Sequence, residues 1–309
     1  IPHAVVAINK MDLVDWSEEV FREIVGEFTQ FAEKLGISDL TFIPMSALLG
    51  DNVVEASENM PWYRGSTLLR HLETVPVLGS TNLRDLRLPV QYVIRPDQDF
   101  RGYAGRIASG VVRAGDAVTI LPSGTRTTID TVYRDGGSVE EGRAGDSTLV
   151  TTVDEVDISR GDMIVREGNQ PILGTDLDAT ICWMTDEPLR AGQDVWLRHT
   201  TRSVRARVTR IVHRIDVDTL HRESRDELEL NDIARVEIAV ASPIAFDPYA
   251  LNRATGSFIL VDPATKGTFA AGMIRGEVRQ TEDPAERVRP DAQISPNVVW
   301  EEGGVALSD

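Results

Sequence analysis

The hydrophobic pattern of this chain changes period once, near Pro76. Before that point, short apolar runs alternate with stretches at helical spacing. After it, only short β-like runs remain, punctuated by glycine and turn residues. Such a pattern requires an α/β segment followed by all-β units, and 309 residues give room for two or three hydrophobic cores.

The α/β segment opens with the apolar run Ala4–Ile8, a strand that ends directly in Asn9-Lys10-Met11-Asp12. This N-K-x-D pattern suits the reading of guanine. The N1–H and exocyclic amine of guanine lie side by side, and one ionised carboxylate, Asp12, can accept from both. Adenine offers an acceptor at N1 and no amine beside it. A site of this kind rejects the wrong base by roughly 10⁴-fold, because mismatch leaves buried polar groups unpaired. Asn9 can tie the loop together and reach N7, while the Lys10 stem can lie over the purine. The plainer alternative is a surface turn, where Asn and Asp are common.

The following residues favour the first reading. Ser17 is a good N-cap, with Glu18 and Glu19 in the first helical turn. Val20, Phe21, Ile24, Val25, Phe28, Phe31, Ala32 and Leu35 recur at helical spacing, and Gly36 provides a stop. A second strand, Leu40–Met45, leads into Ser46-Ala47-Leu48, where a backbone N–H can donate to guanine O6. A helix from about Ser66 to Glu73 follows, with Leu68, Leu69 and Leu72 on one face. Strand, N-K-x-D, helix, strand, S-A-L, helix resembles the last third of a Ras-like GTP-binding domain. The resemblance implies GTP as ligand and Asn9, Lys10, Met11, Asp12, Ser46, Ala47 and Leu48 as its base-reading residues.

The phosphate-binding loop of that fold needs Gly-Lys-Ser/Thr, with the lysine on the phosphates and the hydroxyl on magnesium. The three lysines, Lys10, Lys34 and Lys266, all lie outside such a context. The chain therefore reads as a fragment whose Mg²⁺ site and hydrolytic residues belong upstream. No residue is assigned a catalytic role, and the scattered histidines and lone Cys182 support no metal site. Cys182, between Ile181 and Trp183, reads as a core residue.

Beyond Leu83 the expected strands begin with Leu88–Ile94, then segments within 103–122, Thr127–Tyr133, Ser147–Thr152 and Met163–Val165. Gly105, Gly110 and Gly115 read as barrel corners. A second set runs through Ala179–Met184, Asp194–His199, Arg205–Ile215, Asp232–Ala241, Gly256–Val261 and Gly272–Gly276. Two consecutive barrels after a GTPase domain resemble the translation-factor superfamily. Its second-domain hallmark is similar to the G-R-I-x-S-G-x-x-x-x-G-D stretch from Gly105 to Asp116. The fold class expected is thus the C-terminal part of an α/β Ras-like GTPase domain followed by two all-β barrels. The expected boundaries are 1–78, 79–174 and 175–280, with an acidic tail or linker at 281–309.

Within that superfamily, the runs Gln91–Pro96, Asp99–Gly105 and Asp154–Asp162 resemble the large, GTP-binding subunit of bacterial sulfate adenylyltransferase. So do Ala179–Met184, Leu228–Ala234, Pro248–Ala250 and Asn252–Phe258. The resemblance implies a heterodimer or higher assembly with a small ATP-pyrophosphatase-type subunit. In that assembly GTP hydrolysis drives formation of adenylyl sulfate from ATP and sulfate. Alternatives are an elongation-factor-like GTPase that binds tRNA, a non-enzymatic docking module, and a bifunctional form. In the last, Asn297–Trp300 would lead into an adenylylsulfate kinase. A net charge of −17 argues against a nucleic-acid partner, since such partners need basic faces to displace counterions. The arginine stripe Arg198, Arg202, Arg205, Arg207, Arg210 and Arg214 reads as a solvated strand face. With no long apolar span and one cysteine, the expected setting is the cytoplasm, away from membranes.

Overall fold

The computed structural model describes residues 3–34, 37, 39–75, 82–96, 100–217, 219–278, 298–301 and 304–307. Leu35, Gly36, Pro76 and most of the acidic tail lie outside them. Contacts divide the chain into Ile1–Thr81 and Asn82–Asp309.

In the first unit, β1 (Ala4–Ile8) and β2 (Leu40–Pro44) pair in parallel, with Ala4 opposite Leu40 and Ile8 opposite Pro44. Between them runs α1 (Glu18–Lys34). Ser17 Oγ accepts from the Val20 N–H at 3.4 Å, as its N-cap role requires. Phe21 and Val25 pack with Val6 and Phe42 around a small core of Ile8, Met11 and Met60. The last helix, α2 (Leu68–Thr74), begins after Thr67 rather than Ser66. Its expected apolar face is not buried: Leu69 and Leu72 are exposed, since nothing among the described residues of the unit covers them.

The second unit is built almost wholly of strands. Its first barrel contains β3 (Arg87–Pro89), β4 (Tyr92–Ile94), β5 (Gly102–Arg106), β6 (Val111–Arg113), β7 (Ala117–Leu121) and β8 (Thr125–Arg134). It continues with β9 (Gly137–Val139), β10 (Glu141–Arg143), β11 (Ser147–Thr152) and β12 (Met163–Arg166). The single strand expected over Leu88–Ile94 is two. β3 pairs with β12, and β4 pairs with β5, so the chain bends between two neighbours. At the bend Pro89 has no N–H to give a ladder, while Val90 donates to Asp162 and Gln91 donates to Ala104. The path β3-β12-β7-β8-β11-β5-β4 thereby returns to its own starting segment and closes. Gly110 makes a corner at φ 80°, where a Cβ would lie 2.4 Å from the Leu86 Cα. Gly105 does not. It sits within β5, where a Cβ would meet the Pro89 carbonyl oxygen at 2.3 Å.

The second barrel comprises β13 (Ile172–Trp183), β14 (Leu189–Arg190), β15 (Asp194–His199), β16 (Arg202–Ile215), β17 (Arg222–Glu223) and β18 (Glu227–Leu228). β19 (Ile233–Phe246), α3 (Arg253–Gly256), β20 (Ser257–Val261) and β21 (Thr268–Glu277) complete it. The order β15-β20-β21-β13-β19-β16 closes through a β15–β16 pairing into a six-stranded barrel. Trp183, Phe246, Leu197 and Leu260 fill its core, and the Trp183 Nε1 donates to the Glu187 carbonyl. Cys182 departs from expectation. Strand alternation turns Ile181 and Trp183 inward, leaving the thiol half-buried on the outer face. The arginine stripe is largely neutralised across strands: Arg207 pairs with Asp194, Arg210 with Glu237, and Arg214 with Glu223 and Asp232. Leu121, Met163 and Val165 of one barrel meet Ala245 of the other in a shared apolar contact. No helix among the described residues is long and apolar enough to cross a membrane.

Candidate functional site

The carboxyl ends of β1 and β2 bring the two expected base-reading loops together. The ladder continues past both strands, with the Met45 N–H donating to Ile8 and the Met11 N–H donating to Met45. Met11, almost completely buried, anchors the first loop from below. Lys10 then takes a left-handed conformation, φ 66°, before a 3-10 turn over Met11–Val14. Its side chain and that of Asn9 face outward. Asp12 is half-buried, and its carboxylate has no hydrogen-bond or ion-pair partner among the described residues.

Asn9 performs the tying role expected of it. Its Oδ1 accepts from its neighbour Lys10 N–H at 2.7 Å and from the Ala47 N–H, across the gap between loops, at 2.9 Å. That second bond qualifies the sequence reading of the S-A-L turn. The Ala47 amide already has an acceptor, whereas the Leu48 amide has none among the described residues and Leu48 is 84% exposed. An acceptor arriving here could take the Leu48 amide directly, whereas the Ala47 amide is open to it only by displacing Asn9. Ser46 is buried and does structural work: its N–H donates to the Asp51 carbonyl and its Oγ accepts from Leu49.

The sequence reading missed the residues behind these loops. Asp51 accepts from the Trp16 Nε1 at 3.0 Å, from Ser57 Oγ and from Asn59 Nδ2. The Ser57 hydrogen bond chiefly, helped by Trp16 and Asn59, holds the Asp51 carboxyl below the usual carboxylate range against the opposing effect of burial. Buried Asn52 bridges the Pro44 carbonyl and the Ser57 N–H. The available signal was Gly50-Asp51-Asn52, a turn sequence placed immediately after S-A-L.

As a ligand site, the arrangement offers one uncommitted carboxylate, an exposed lysine stem, a carboxamide and one free amide at the mouth of a two-strand sheet. The carboxylate, the carboxamide and the amide are of kinds that can pair with a guanine edge. Among the described residues no cluster of His, Cys, Asp or Glu could hold a metal ion.

Comparison with known proteins agrees with this architecture. Residues 176–275 match the family profile described as GTP-eEF1A C-terminal domain-like. The chain is 49% identical over 284 residues to the bifunctional enzyme CysN/CysC of Mycobacterium tuberculosis, covering 90% of this chain and 46% of that protein. It is 46% identical over 280 residues to sulfate adenylyltransferase subunit 1 of Bacteroides fragilis, covering 91% and 59%. For the same subunit of Bacteroides thetaiotaomicron the figures are 45% over 304 residues, 96% and 63%. The chain thus spans about half to two thirds of the length of these relatives. Sup35 in complex with GDP shares the fold, with a TM-score of 0.60 at 22% identity over 90% of this chain and 70% of that one. Over nine tenths or more of its length the chain is thus similar in sequence to sulfate adenylyltransferase subunit 1 proteins.

Proposed function

We propose that this chain carries the guanine-reading and barrel portion of the GTP-binding subunit of sulfate adenylyltransferase. In this reading GTP hydrolysis drives the uphill formation of adenylyl sulfate from ATP and sulfate during sulfate assimilation, in the cytoplasm. Residues 1–78 read the base, 79–174 and 175–280 form the two barrels, and 281–309 serve as an acidic tail or linker. A small ATP-pyrophosphatase-type subunit is the partner, and Mg²⁺ accompanies the nucleotide phosphates through residues outside this chain. The observation that carries the reading is identity of 45–49% to such subunits across nine tenths or more of the chain. The uncommitted Asp12 carboxylate at the mouth of two tied loops adds the chemical rationale.

Identity to a two-activity relative favours a second reading, in which an adenylylsulfate kinase follows the barrels. No feature of the described residues favours a tRNA-binding role.

Asp12→Asn tests the base assignment in the full-length protein. An amide mismatches guanine N1–H and N2 but suits xanthine, which carries an oxygen there. GTP affinity is expected to fall by about 2–4 kcal/mol, the scale of a lost charged hydrogen-bond pair, with partial recovery for XTP. With the small subunit present, sulfate-dependent pyrophosphate release from ATP should switch its stimulation from GTP to XTP. Unchanged GTP affinity would remove Asp12 from the site.

A further inference from the structure

We infer that Trp16 and Asp51 are positioning residues that set the spacing between the Asp12 carboxylate and the S-A-L amides, and thereby sharpen guanine recognition without touching the nucleotide. The inference rests on the base-reading role proposed above for Asp12.

The geometry is that of a strut behind the mouth of the site. The loop after β1 ends in two successive non-glycine residues in the left-handed region, Asp15 and Trp16, each at φ 50°. Each is costly for an L-residue, so the surroundings must hold the turn in place. Three bonds do so. The Trp16 N–H donates to the Met11 carbonyl at 2.9 Å, closing the turn on itself. The Trp62 Nε1 donates to the Trp16 carbonyl at 3.1 Å. The Trp16 Nε1 donates to Asp51 Oδ2 at 3.0 Å, and this bond leaves the loop altogether. Asp51 belongs to the S-A-L loop, since its carbonyl accepts from the Ser46 N–H at 3.1 Å. Its other carboxylate oxygen is held by Ser57 and Asn59, so the acceptor has little freedom to follow a moving indole.

Beyond the backbone bond from Met11 to Met45, the two loops are therefore joined by two side chains, Asn9 to Ala47 at the mouth and Trp16 to Asp51 behind it. The mouth bond uses an amide that lies where the base must approach, and it is open to exchange when a purine enters. The rear bond lies among Trp62, Tyr63 and Phe21 and persists through that exchange. It keeps Asp12 in register with the opposite loop while Asn9 is released. A site that reads N1–H and N2 with one carboxylate loses its bidentate geometry on a displacement of a fraction of an ångström to an ångström.

The test compares GDP with IDP, which lacks the exocyclic amine and so reports on the N2 contact alone. Trp16→Phe removes the indole donor and keeps a ring in the aromatic cluster; Asp51→Asn keeps the shape and weakens the acceptor. In the full-length protein each substitution is expected to lower the GDP-to-IDP affinity ratio about fivefold, the effect of one weakened hydrogen bond, with IDP affinity changed less than about twofold. The double variant should match the single ones, because one bond is shared. Trp16→Phe remains informative should Asp51→Asn unfold the loop. Parallel loss of GDP and IDP affinity at constant ratio assigns the pair a purely structural role and overturns the inference. A parent protein with equal GDP and IDP affinity would instead sink the base assignment and the inference with it.

Discussion

The Arg87 guanidinium clasps the Asp247 carboxylate with two parallel bonds, Nε to Oδ2 and Nη2 to Oδ1, each 2.9 Å. Arg87 is on the first strand of one barrel and Asp247 just past β19 of the other; their side chains are 3% and 14% exposed. Both partners are fully used. Nη1 donates to the Leu86 and Asn169 carbonyls, and Asp247 Oδ2 also accepts from Thr255 Oγ1.

Removing one member of such a pair strands the other charge away from water, at about 3–5 kcal/mol. Asp247→Ala and Arg87→Ala are each expected to lower stability of the barrel unit by that amount in urea unfolding. Arg87→Lys should recover little, since an ammonium cannot supply the fork. The double apolar variant Arg87→Met, Asp247→Leu should cost less than either alanine variant alone. Additive single and double losses would show that the pair is not coupled.

His199 faces the same junction, with its Nε2 donating to the Thr255 carbonyl at 2.7 Å and Asp247 nearby. Burial holds its imidazole below the ordinary histidine range, outweighing the opposite pull of the Thr255 carbonyl and Asp247. A lowered folded value means that the unfolded chain binds the extra proton first. Stability from this group is thus complete above the unfolded value of about 6.5 and is lost progressively as pH falls below it. His213 is shifted down as well, chiefly by burial and then by Arg222, and adds in the same sense. The Tm should therefore drop between pH 7 and 5.5, and His199→Gln should flatten the decline. An identical slope in the variant would clear His199 of the effect.

The two units differ in what holds them. β1 and β2 keep Val5, Val6 and Thr41 only half-buried, around a small core. The barrels bury large clusters behind closed sheets. Parallel strands are ordinarily covered on both faces, so the first unit should open more readily in this chain. Limited proteolysis of residues 1–309 is expected to remove the segment before Asn82 first and to leave a core reaching β21. Survival of 1–81 after the barrels have been cut would reverse this order.

Local motifs were legible because their geometry is local. Asn9-Lys10-Met11-Asp12 follows a strand directly, and the capping by Ser17 needed only the next three residues. The extents of β15 and β11 were equally plain, since Asp194–His199 and Ser147–Thr152 are β-rich runs bounded by turn residues. Trp16–Asp51 and Arg87–Asp247 were hidden because each joins residues far apart in the chain, and no spacing rule announces the pairing. The bend at Val90–Gln91 was hidden for a different reason. Its residues keep β-like composition while their hydrogen bonds go to Asp162 and Ala104, so the change of partner leaves no mark on the pattern. Cys182 was readable and misread: an inward Ile181 and Trp183 already place the residue between them outside.

That bend also sets an order of events during synthesis. Strand β3 is among the first parts of its barrel to leave the ribosome, yet its ladder partner is β12, the last. Until Met163–Arg166 emerges, the nascent barrel carries an unmated edge at Arg87–Pro89, and Arg87 still awaits an aspartate made later again. Edges of this kind invite pairing with the wrong chain. The closure that leaves the finished barrel without an open seam thus makes its translation the interval of greatest exposure to misassembly.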